Sequence, residues 1–381
     1  MISPARMIYR QVIVLIKRTF FLGCILVLFL VFPVFAAQMP EISAQSAVVY
    51  DTLDGSLVYG HQPHERRGMA STTKIMSARI ALEQYDLNAV VTIRPEWCGI
   101  EGSSMYLKPG EQLRIEDLLY GLLLESGNDA ATALAGLDSD GSFVEKMNAK
   151  AAELGLKDTH FDNPSGLDGE THYTTAYELA KLTAYAMEQP AFARIVATQK
   201  AEIAGRTMVN HNRLLQELGA SGVKTGYTMS CGRCLVSAKE ENGRLLICVT
   251  LNDRDDWQDH KALYEYAFSI IQSTELIGAG DCGSVPLISS EKQTSRLYCN
   301  ESFSCFLTAQ QQARVTIRLC GARFCYGAVA AGQQYGELQV VLDERVLFET
   351  PVYFAENSKE IEIKATFFSR IFDFIFRSRE H

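Results

Sequence analysis

The order of the predicted elements indicates an α+β domain followed by a small all-β domain. Two strands open the first domain, a block of helices follows, and three strands with a final helix close it. A sheet completed by both ends of a domain, with helices inserted between them, is typical of the α+β class. From about residue 278, short segments alternate apolar and polar residues, which favours an all-β domain.

The strands of the first domain are predicted from short runs rich in β-branched and aromatic residues that end at turn residues. These runs are 44–50, 56–60, 91–93, 220–228, 233–239 and 244–251. The segment Asp51 to Gly55 predicts a turn between the first two strands. The dipeptide Asn242-Gly243 predicts a tight hairpin between the last two.

The helices are predicted from apolar residues that recur at a spacing of three or four. They cover 73–85, 115–124, 129–137, 141–154, a segment that starts near Tyr173, and 257–272. Thr174 or Thr175 is expected to cap the helix near Tyr173, with Glu178 in the capping-box position.

The second domain is predicted from alternating segments that include 314–318, 337–342 and 345–348. A chain of 381 residues is long enough for two domains. We therefore expect an α+β domain over residues 38–277 and a β-rich domain over residues 278–360.

The first 37 residues have the pattern of an export signal. Four basic residues precede an apolar run over residues 19–35: Arg6, Arg10, Lys17 and Arg18. Val34-Phe35-Ala36 then matches a cleavage site. An uncleaved membrane anchor is the alternative, because the run is near the lower length limit for a span. Either outcome places the rest of the chain outside the cytoplasm.

The last segment, residues 361–381, is predicted to be an amphipathic helix. From Ala365 to Arg377 the apolar residues are mostly phenylalanines, and polar residues fall on the opposite side of a helix. Such a helix lies in a membrane interface, with the phenylalanines at the acyl boundary and the arginines at headgroups. A helix docked on the protein's own β-rich domain is the alternative.

Charge argues against a nucleic-acid partner. The formal net charge is −9, and no basic cluster stands out. The seven histidines are scattered and no Cys/His spacing is that of a zinc site, so neither a metal nor a cofactor is expected.

Ten cysteines are present, and one of them, Cys24, lies in the export signal. The remaining number is odd, so at least one thiol is free or pairs between chains. Cys231 and Cys234 fall in a segment that we interpret as extended, around the run 233–239, and positions three apart on a strand point to opposite faces, which argues against a redox pair. The β-rich domain has five cysteines whose pairing stays open: Cys282, Cys299, Cys305, Cys320 and Cys325.

Ser71 and Lys74 form a Ser-x-x-Lys pair at the start of the predicted helix 73–85. Residues three apart on a helix share a face, and free backbone N–H groups at a helix N-terminus favour developing negative charge. A neutral lysine there would take the hydroxyl proton and make the serine a nucleophile. The pair alone is common, and a capping serine beside a solvated lysine is the simpler interpretation.

Two further motifs favour a nucleophilic serine over a capping serine. Ser126-Gly127-Asn128 lies between two apolar helices, where it is either a plain helix end or a rigid mount for two polar side chains. Lys224-Thr225-Gly226 lies in the predicted strand 220–228. Ser-x-x-Lys, a central Ser-x-Asn and Lys-Thr-Gly, in this chain order, are the signature of penicillin-binding proteins and class A β-lactamases.

The sequence most resembles the low-molecular-mass penicillin-binding proteins that are D-alanyl-D-alanine carboxypeptidases, serine peptidase family S11. The residues that carry this resemblance are Ala70 to Met76, Ser126 to Ala131, Asn163 to Leu167, His172 to Tyr177 and Gly222 to Thr228. The resemblance extends over essentially the whole mature chain. It implies a β-lactamase/transpeptidase-like first domain, peptidoglycan stem peptides as substrates, and β-lactams as covalent inhibitors.

The resemblance also implies roles in the chemistry. Ser71 would attack the peptide carbonyl between the last two D-alanines, with Lys74 as its base. The pKa of Lys74 would be lowered by burial and by Lys224. Ser126 would relay a proton to the leaving amine, and Asn128 would hold Lys74 and the substrate amide.

Substrate binding is implied for the third motif. Lys224 and Thr225 would bind the terminal carboxylate, next to Gly226. The backbone N–H groups of Ser71 and Tyr227 would form the oxyanion hole. His211 and Arg213 lie near the place where the family has another cation, and each is a weaker candidate for substrate contact. Cys231 departs from the small residue usual after the third motif.

Three other functions stay open at this stage. These motifs barely distinguish a D,D-carboxypeptidase from a D,D-endopeptidase of the same fold. A β-lactamase of class A uses a glutamate for deacylation, and the loop 162–169 offers none in an obvious position. A wall-binding protein with a degenerate site is disfavoured by the intact motifs.

Overall fold

The structure, a computed structural model, describes residues 38–361. The predicted export signal and nearly all of the predicted C-terminal amphipathic segment lie outside these residues. The strands are β1 Ser46–Asp51, β2 Leu57–His61, β3 Val90–Thr92, β4 Gln112–Arg114, β5 Lys200–Ile203, β6 Arg206–Val209, β7 Val223–Thr228, β8 Gly232–Glu241, β9 Arg244–Asp253, β10 Gln272–Ile277, β11 Gly280–Ile288, β12 Thr294–Cys299, β13 Phe303–Leu307, β14 Val315–Gly321, β15 Cys325–Tyr326, β16 Gln334–Leu342 and β17 Arg345–Phe354.

The helices are α1 Lys74–Gln84, α2 Ile115–Leu123, α3 Asn128–Gly136, α4 Phe143–Glu153, α5 Ala176–Met187, α6 Pro190–Val196, α7 Leu214–Glu217, α8 Asp256–Ser269 and α9 Ala309–Gln312. Two 3₁₀ turns, Ala70–Thr73 and Pro95–Trp97, complete the set. No helix within residues 38–361 combines the length and the apolarity that a bilayer span requires.

The central sheet is antiparallel with the strand order β2-β1-β9-β8-β7. Its N-terminal strand β1 pairs along its whole length with β9, so that Val48 lies opposite Val249. The predicted α+β class is thereby confirmed. The hairpin between β8 and β9 turns at Asn242 and Gly243, both with positive φ, as the Asn-Gly dipeptide predicts.

Helices cover both faces of this sheet. Side chains on β1 alternate between the two sides, as the period of two requires. Val48 joins the large core formed with α1 to α6, while Ala47 and Val49 pack against Leu263 and Ala267 of α8. The first helix, α1, is buried on almost every side, because neighbouring helices surround it. It therefore holds its N-terminal turn rigidly against the sheet.

Some predicted boundaries were wrong. The closing helix ends at Ser269 instead of residue 272, and Gln272 begins β10. The β5–β6 hairpin and α6 were not predicted, because these elements are only four to seven residues long, which is too short to show a clear period. The predicted cap at Thr175 is confirmed, since its side chain accepts the Glu178 N–H.

The β-rich domain is confirmed. It has a six-stranded sheet with the order β14-β16-β17-β12-β11-β15 and a two-stranded sheet of β10 and β13. β10 lies before the expected boundary at residue 278, yet it pairs with β13. Its core includes Val285, Leu297, Val340 and Val352.

Contacts with the first domain include Phe306 of β13, which packs against the cluster that contains Leu263, and three polar side chains near the ends of other elements. Gln311 Nε2 donates to Asp51 Oδ2 (2.8 Å), Arg314 pairs with Asp54, and Arg345 donates to the Leu53 carbonyl (2.6 Å).

All nine cysteines within residues 38–361 are free thiols. Cys231 stands in the turn that precedes β8, not in a strand as predicted, whereas Cys234 is buried within β8. The argument from strand alternation therefore does not apply to this pair.

Candidate active site

Ser71 lies in the 3₁₀ turn Ala70–Thr73, which runs directly into α1. The sequence predicted the helix from residue 73, so the serine is found in a tighter turn than expected. Ala70 has a φ of 46°, in the left-handed region that a residue with a Cβ rarely adopts. Strained backbone of this kind persists only where its surroundings fix it, and it is frequent at functional sites.

A chain of hydrogen bonds fixes the turn. The Asp162 backbone N–H donates to His172 Nδ1 (3.0 Å), so the His172 Nε2–H donates to Thr73 Oγ1 (2.7 Å). Thr73 Oγ1 donates in turn to the Ala70 carbonyl (2.8 Å). Burial lowers the pKa of His172 to about 4, so the ring is neutral at neutral pH. His172 therefore holds the strained residue beside Ser71 in place.

Lys74 is completely buried at the first position of α1. Its Nζ lies 3.0 Å from Ser71 Oγ, 2.7 Å from Asn128 Oδ1 and 2.5 Å from the Ser165 carbonyl oxygen. Burial, and then the charge of Lys224, hold the pKa of Lys74 well below its ordinary value. The amine is thus shifted toward its neutral, basic form.

The loop of residues 163–167 supplies the Ser165 carbonyl. Asn163 Oδ1 accepts the backbone N–H groups of Ser165, Gly166 and Leu167 at 2.8–3.2 Å, which closes the loop into a tight turn. Gly166 has a φ of 87°, and a Cβ there would lie 1.9 Å from the Ala70 carbonyl oxygen. Only glycine permits this contact between the loop and the serine turn.

Ser126 and Asn128 lie where α2 gives way to α3. Ser126 has a φ of 59° and its side chain lines the cleft. Asn128 Nδ2 donates to the Glu101 carbonyl (2.6 Å), while its Oδ1 accepts from Lys74. A Cβ on Gly102 would lie 2.6 Å from Asn128 Nδ2, so the loop approaches too closely for any other residue.

The third motif lies on β7, the edge strand beside the serine turn. Lys224 is buried, and burial lowers its pKa to about 7. Thr225, Gly226 and Tyr227 line the cleft. A Cβ on Gly226 would lie 3.0 Å from the Ser71 backbone nitrogen, so the strand runs very close to the Ser71 N–H.

These motifs meet in one cleft of about 580 Å³, lined by Ser71, Ser103, Ser126, His211, Thr225, Gly226, Tyr227, Arg233, Asp256 and Trp257. Across the described residues, no group of three or more His, Cys, Asp or Glu side chains is arranged to hold a metal ion. The cleft thus places the Ser71 hydroxyl, with the buried Lys74 amine 3.0 Å behind it, beside the backbone of β7, which is an arrangement that acyl transfer can use.

A second cavity of about 360 Å³ adjoins this cleft and shares His211, Arg233, Asp256 and Trp257 with it. Arg213 lines only the second cavity, as does Arg254. Neither Trp257 nor Arg254 was singled out from the sequence. The available signal was the run of charged and aromatic residues directly after the buried strand β9.

The comparisons with known proteins agree with this geometry. Residues 33–255 match the family model described as "Peptidase_S11: D-alanyl-D-alanine carboxypeptidase". The chain is 32% identical over 337 residues to the D-alanyl-D-alanine carboxypeptidase DacF of Bacillus subtilis, covering 83% of this chain and 86% of that protein. It is 27% identical to DacD of Escherichia coli over 361 residues, with 89% and 92% of the chains covered.

Solved structures agree as well. Penicillin binding protein 5 from Haemophilus influenzae superposes with a TM-score of 0.62 at 26% identity, covering 85% of this chain and 99% of that one. A mutant of the Streptomyces K15 DD-transpeptidase gives a TM-score of 0.58 at 32% identity, with 60% and 99% covered. The first of these likenesses includes the β-rich domain. The chain belongs to the S11 peptidase family of D-alanyl-D-alanine carboxypeptidases.

Proposed function

We propose that this D-alanyl-D-alanine carboxypeptidase removes the terminal D-alanine from peptidoglycan stem peptides through an acyl-enzyme on Ser71. One observation carries the proposal. Lys74 is completely buried, has a lowered pKa, and lies 3.0 Å from Ser71 Oγ. A lysine held in this way acts as a general base at neutral pH.

In the acylation step, Ser71 Oγ attacks the carbonyl carbon between the last two D-alanines and its proton passes to Lys74 Nζ. The negative charge that develops on the carbonyl oxygen is stabilised by the backbone N–H groups of Ser71 and Tyr227. The C–N bond then breaks, and Ser126 relays a proton from Lys74 to the leaving nitrogen. D-Alanine leaves, and the remaining peptide is an ester of Ser71.

In the deacylation step, water attacks the ester with Lys74 again accepting a proton, and Ser71 is regenerated. Asn128 orients Lys74 through its Oδ1 throughout. β-Lactams would form the same ester on Ser71 and would act as covalent inhibitors. Among residues 162–169 no glutamate side chain is available to speed deacylation, which argues against a β-lactamase.

Recognition of the terminal carboxylate would fall to Lys224 and Thr225. A pKa of about 7 leaves Lys224 partly protonated at neutral pH, and a bound carboxylate would favour the charged form. A charge-assisted hydrogen bond contributes about 1.5–3 kcal/mol, which corresponds to roughly 10- to 150-fold in transition-state binding.

The test compares two pentapeptides ending in D-Ala-D-Ala, one with a free C-terminus and one with an amide. We expect D-alanine from the free acid and at least about tenfold slower cleavage of the amide. Lys224→Ala should slow the free acid far more than the amide. Equal rates on the acid and the amide would refute the carboxypeptidase mechanism.

The adjoining cavity gives a specific reason to keep D,D-endopeptidase activity as a second candidate. It adjoins the cleft at His211 and is also lined by Arg213 and Arg254, so it would give room to a substrate that continues beyond the scissile bond. An endopeptidase would tolerate a substituted C-terminus. Release of monomers from cross-linked peptide dimers, faster than release of D-alanine from the pentapeptide, would favour this candidate.

We further propose that the enzyme works on the outer face of the cytoplasmic membrane. The export signal predicted over residues 1–37 and the amphipathic segment from Ala365 to Arg377 support this location. Truncation after Lys364 should release the processed protein from membranes. If the truncated protein stays bound, the anchor lies elsewhere, and an uncleaved signal is the first candidate.

A further inference from the structure

Four apolar side chains are exposed together at one end of the β-rich domain. Ile288 ends β11, Phe324 and Tyr326 flank Cys325 of β15, and Ile361 is the last described residue. Their exposed fractions range from 40% for Ile288 to 69% for Tyr326. We call these four residues the distal patch.

Backbone hydrogen bonds hold the distal patch together. β15 pairs in parallel with β11, so Tyr326 lies opposite Ile288. The Ile361 N–H donates to the Ser289 carbonyl (2.9 Å), which ties the chain exit to the end of β11. The rings of Phe324 and Tyr326 meet edge to face with 5.2 Å between centroids. Cys325 packs against the core, so the alternation of β15 turns Tyr326 outward, and Phe324, just before the strand, is exposed as well.

The patch lies at the end of the domain that is remote from the active site. Arg314, just before β14, pairs with Asp54 of the first domain, and β14 then runs away from that contact toward Phe324. Seven extended residues span roughly 20 Å. Likewise, β17 starts at Arg345, which donates to the Leu53 carbonyl, and the described chain then continues to Ile361.

We propose that the distal patch contacts the lipid bilayer beside the C-terminal segment. This inference rests on the membrane location proposed above. The chain that continues from Ile361 is rich in phenylalanine and arginine between residues 365 and 377, which is the composition of an interfacial anchor. An anchor in the chain that follows Ile361 would bring the residues around Ile361 to the same surface. Amphipathic aromatic side chains such as Tyr326 favour the headgroup boundary.

The consequence is an orientation. With the patch at the bilayer, Ile288, Phe324 and Tyr326 would fix which end of the β-rich domain faces the lipid. An anchor attached through a free linker would set no such direction.

The first test uses bromine quenching of an introduced tryptophan. Phe324→Trp in the full processed chain should be quenched by vesicles of phosphatidylethanolamine and phosphatidylglycerol that carry bromine on their acyl chains. The matched control is Ile317→Trp on β14, which is 52% exposed but lies near the Arg314 end. Quenching is counted beyond that of the wild-type tryptophans. If the two variants are quenched equally, or if Phe324→Trp is not quenched, the inference is wrong.

The second test measures vesicle partitioning. Phe324→Ser with Tyr326→Ser should weaken binding by about tenfold, because two aromatic side chains no longer transfer apolar surface into the bilayer. Ile317→Ser with Val346→Ser, both exposed elsewhere in the domain, should change it little. Unchanged partitioning of the first pair, or a change in its oligomeric state instead, would refute a lipid contact.

The outcomes separate the proposals. Release of D-alanine from a soluble pentapeptide should be the same in all these variants, so its absence in the wild type would refute the catalytic proposal alone. Strong binding that vanishes on truncation after Lys364, with no quenching at Phe324→Trp, would support the anchor and refute the patch. A wild-type chain that binds no vesicles would refute both.

Discussion

Gly226→Ala tests whether β7 forms one wall of the oxyanion hole. Gly226 does not have a left-handed φ, so alanine there carries no conformational cost of that kind. Its Cβ would lie 3.0 Å from the Ser71 nitrogen and 3.1 Å from the Thr72 nitrogen. Ordinary contacts begin near 3.4 Å, so the strand and the serine turn must separate by several tenths of an ångström.

Loss of one oxyanion donor typically slows acyl transfer by about 10²–10³-fold. Since the Tyr227 N–H follows Gly226 directly, we expect Gly226→Ala to slow acylation by about 10²-fold. Overpacking of this size costs about 1–3 kcal/mol of unfolding free energy. The assay is the second-order rate constant for acylation by a fluorescent penicillin, measured beside thermal unfolding.

Gly60→Ala is the matched control. Gly60 lies on β2 of the same sheet, and a Cβ there would meet its first neighbour at 3.5 Å. It should acylate at the wild-type rate. If Gly226→Ala is folded and acylates within about threefold of Gly60→Ala, β7 does not shape the oxyanion hole.

Three further predictions concern the same site. Ser71→Ala should abolish labelling by penicillin in intact-mass spectra, and Lys74→Ala should slow labelling at least ~10²-fold while leaving the protein folded. For the free-acid pentapeptide, kcat/KM should fall above about pH 7, because Lys224 loses its proton, and it should fall at low pH, because Lys74 gains one. For the amide, kcat/KM should not fall above about pH 7, because it has no carboxylate for Lys224 to bind. His172→Phe should lower unfolding free energy by about 1–3 kcal/mol, because the Asp162 N–H loses its acceptor, and calorimetry would measure this.

The sequence predicts the part of the site that depends on local spacing. Ser71 and Lys74 are three residues apart in a segment with helical spacing, so their proximity follows from helix geometry. Asn128 is 54 residues away from Lys74, and only the resemblance to a family brings the two together. The sequence likewise predicts the order of strands and helices, because apolar residues recur every second residue in a strand and every third or fourth residue in a helix.

Other parts of the site leave no mark in the sequence. The Ser165 oxygen that contacts Lys74 belongs to the backbone, and any residue carries one. The left-handed φ of Ala70 is set by its surroundings, among them the hydrogen bond from Thr73, and alanine gives no sign of it. The sequence does not show why residue 166 must be glycine, because the atom that excludes a Cβ there is the carbonyl oxygen of Ala70, far away in the chain.

The hydrogen bonds around Lys74 support the base role proposed for it. The Asn128 Oδ1 and the Ser165 carbonyl oxygen, at 2.7 and 2.5 Å, can only accept hydrogen bonds. A neutral amine has two N–H groups, and these two oxygens take both. Its lone pair is then left for the third neighbour, the Ser71 hydroxyl at 3.0 Å, whose proton it can accept. A charged lysine would have to donate to all three and would block the nucleophile. Burial therefore sets the charge of Lys74, and the two carbonyl oxygens set the direction of its lone pair.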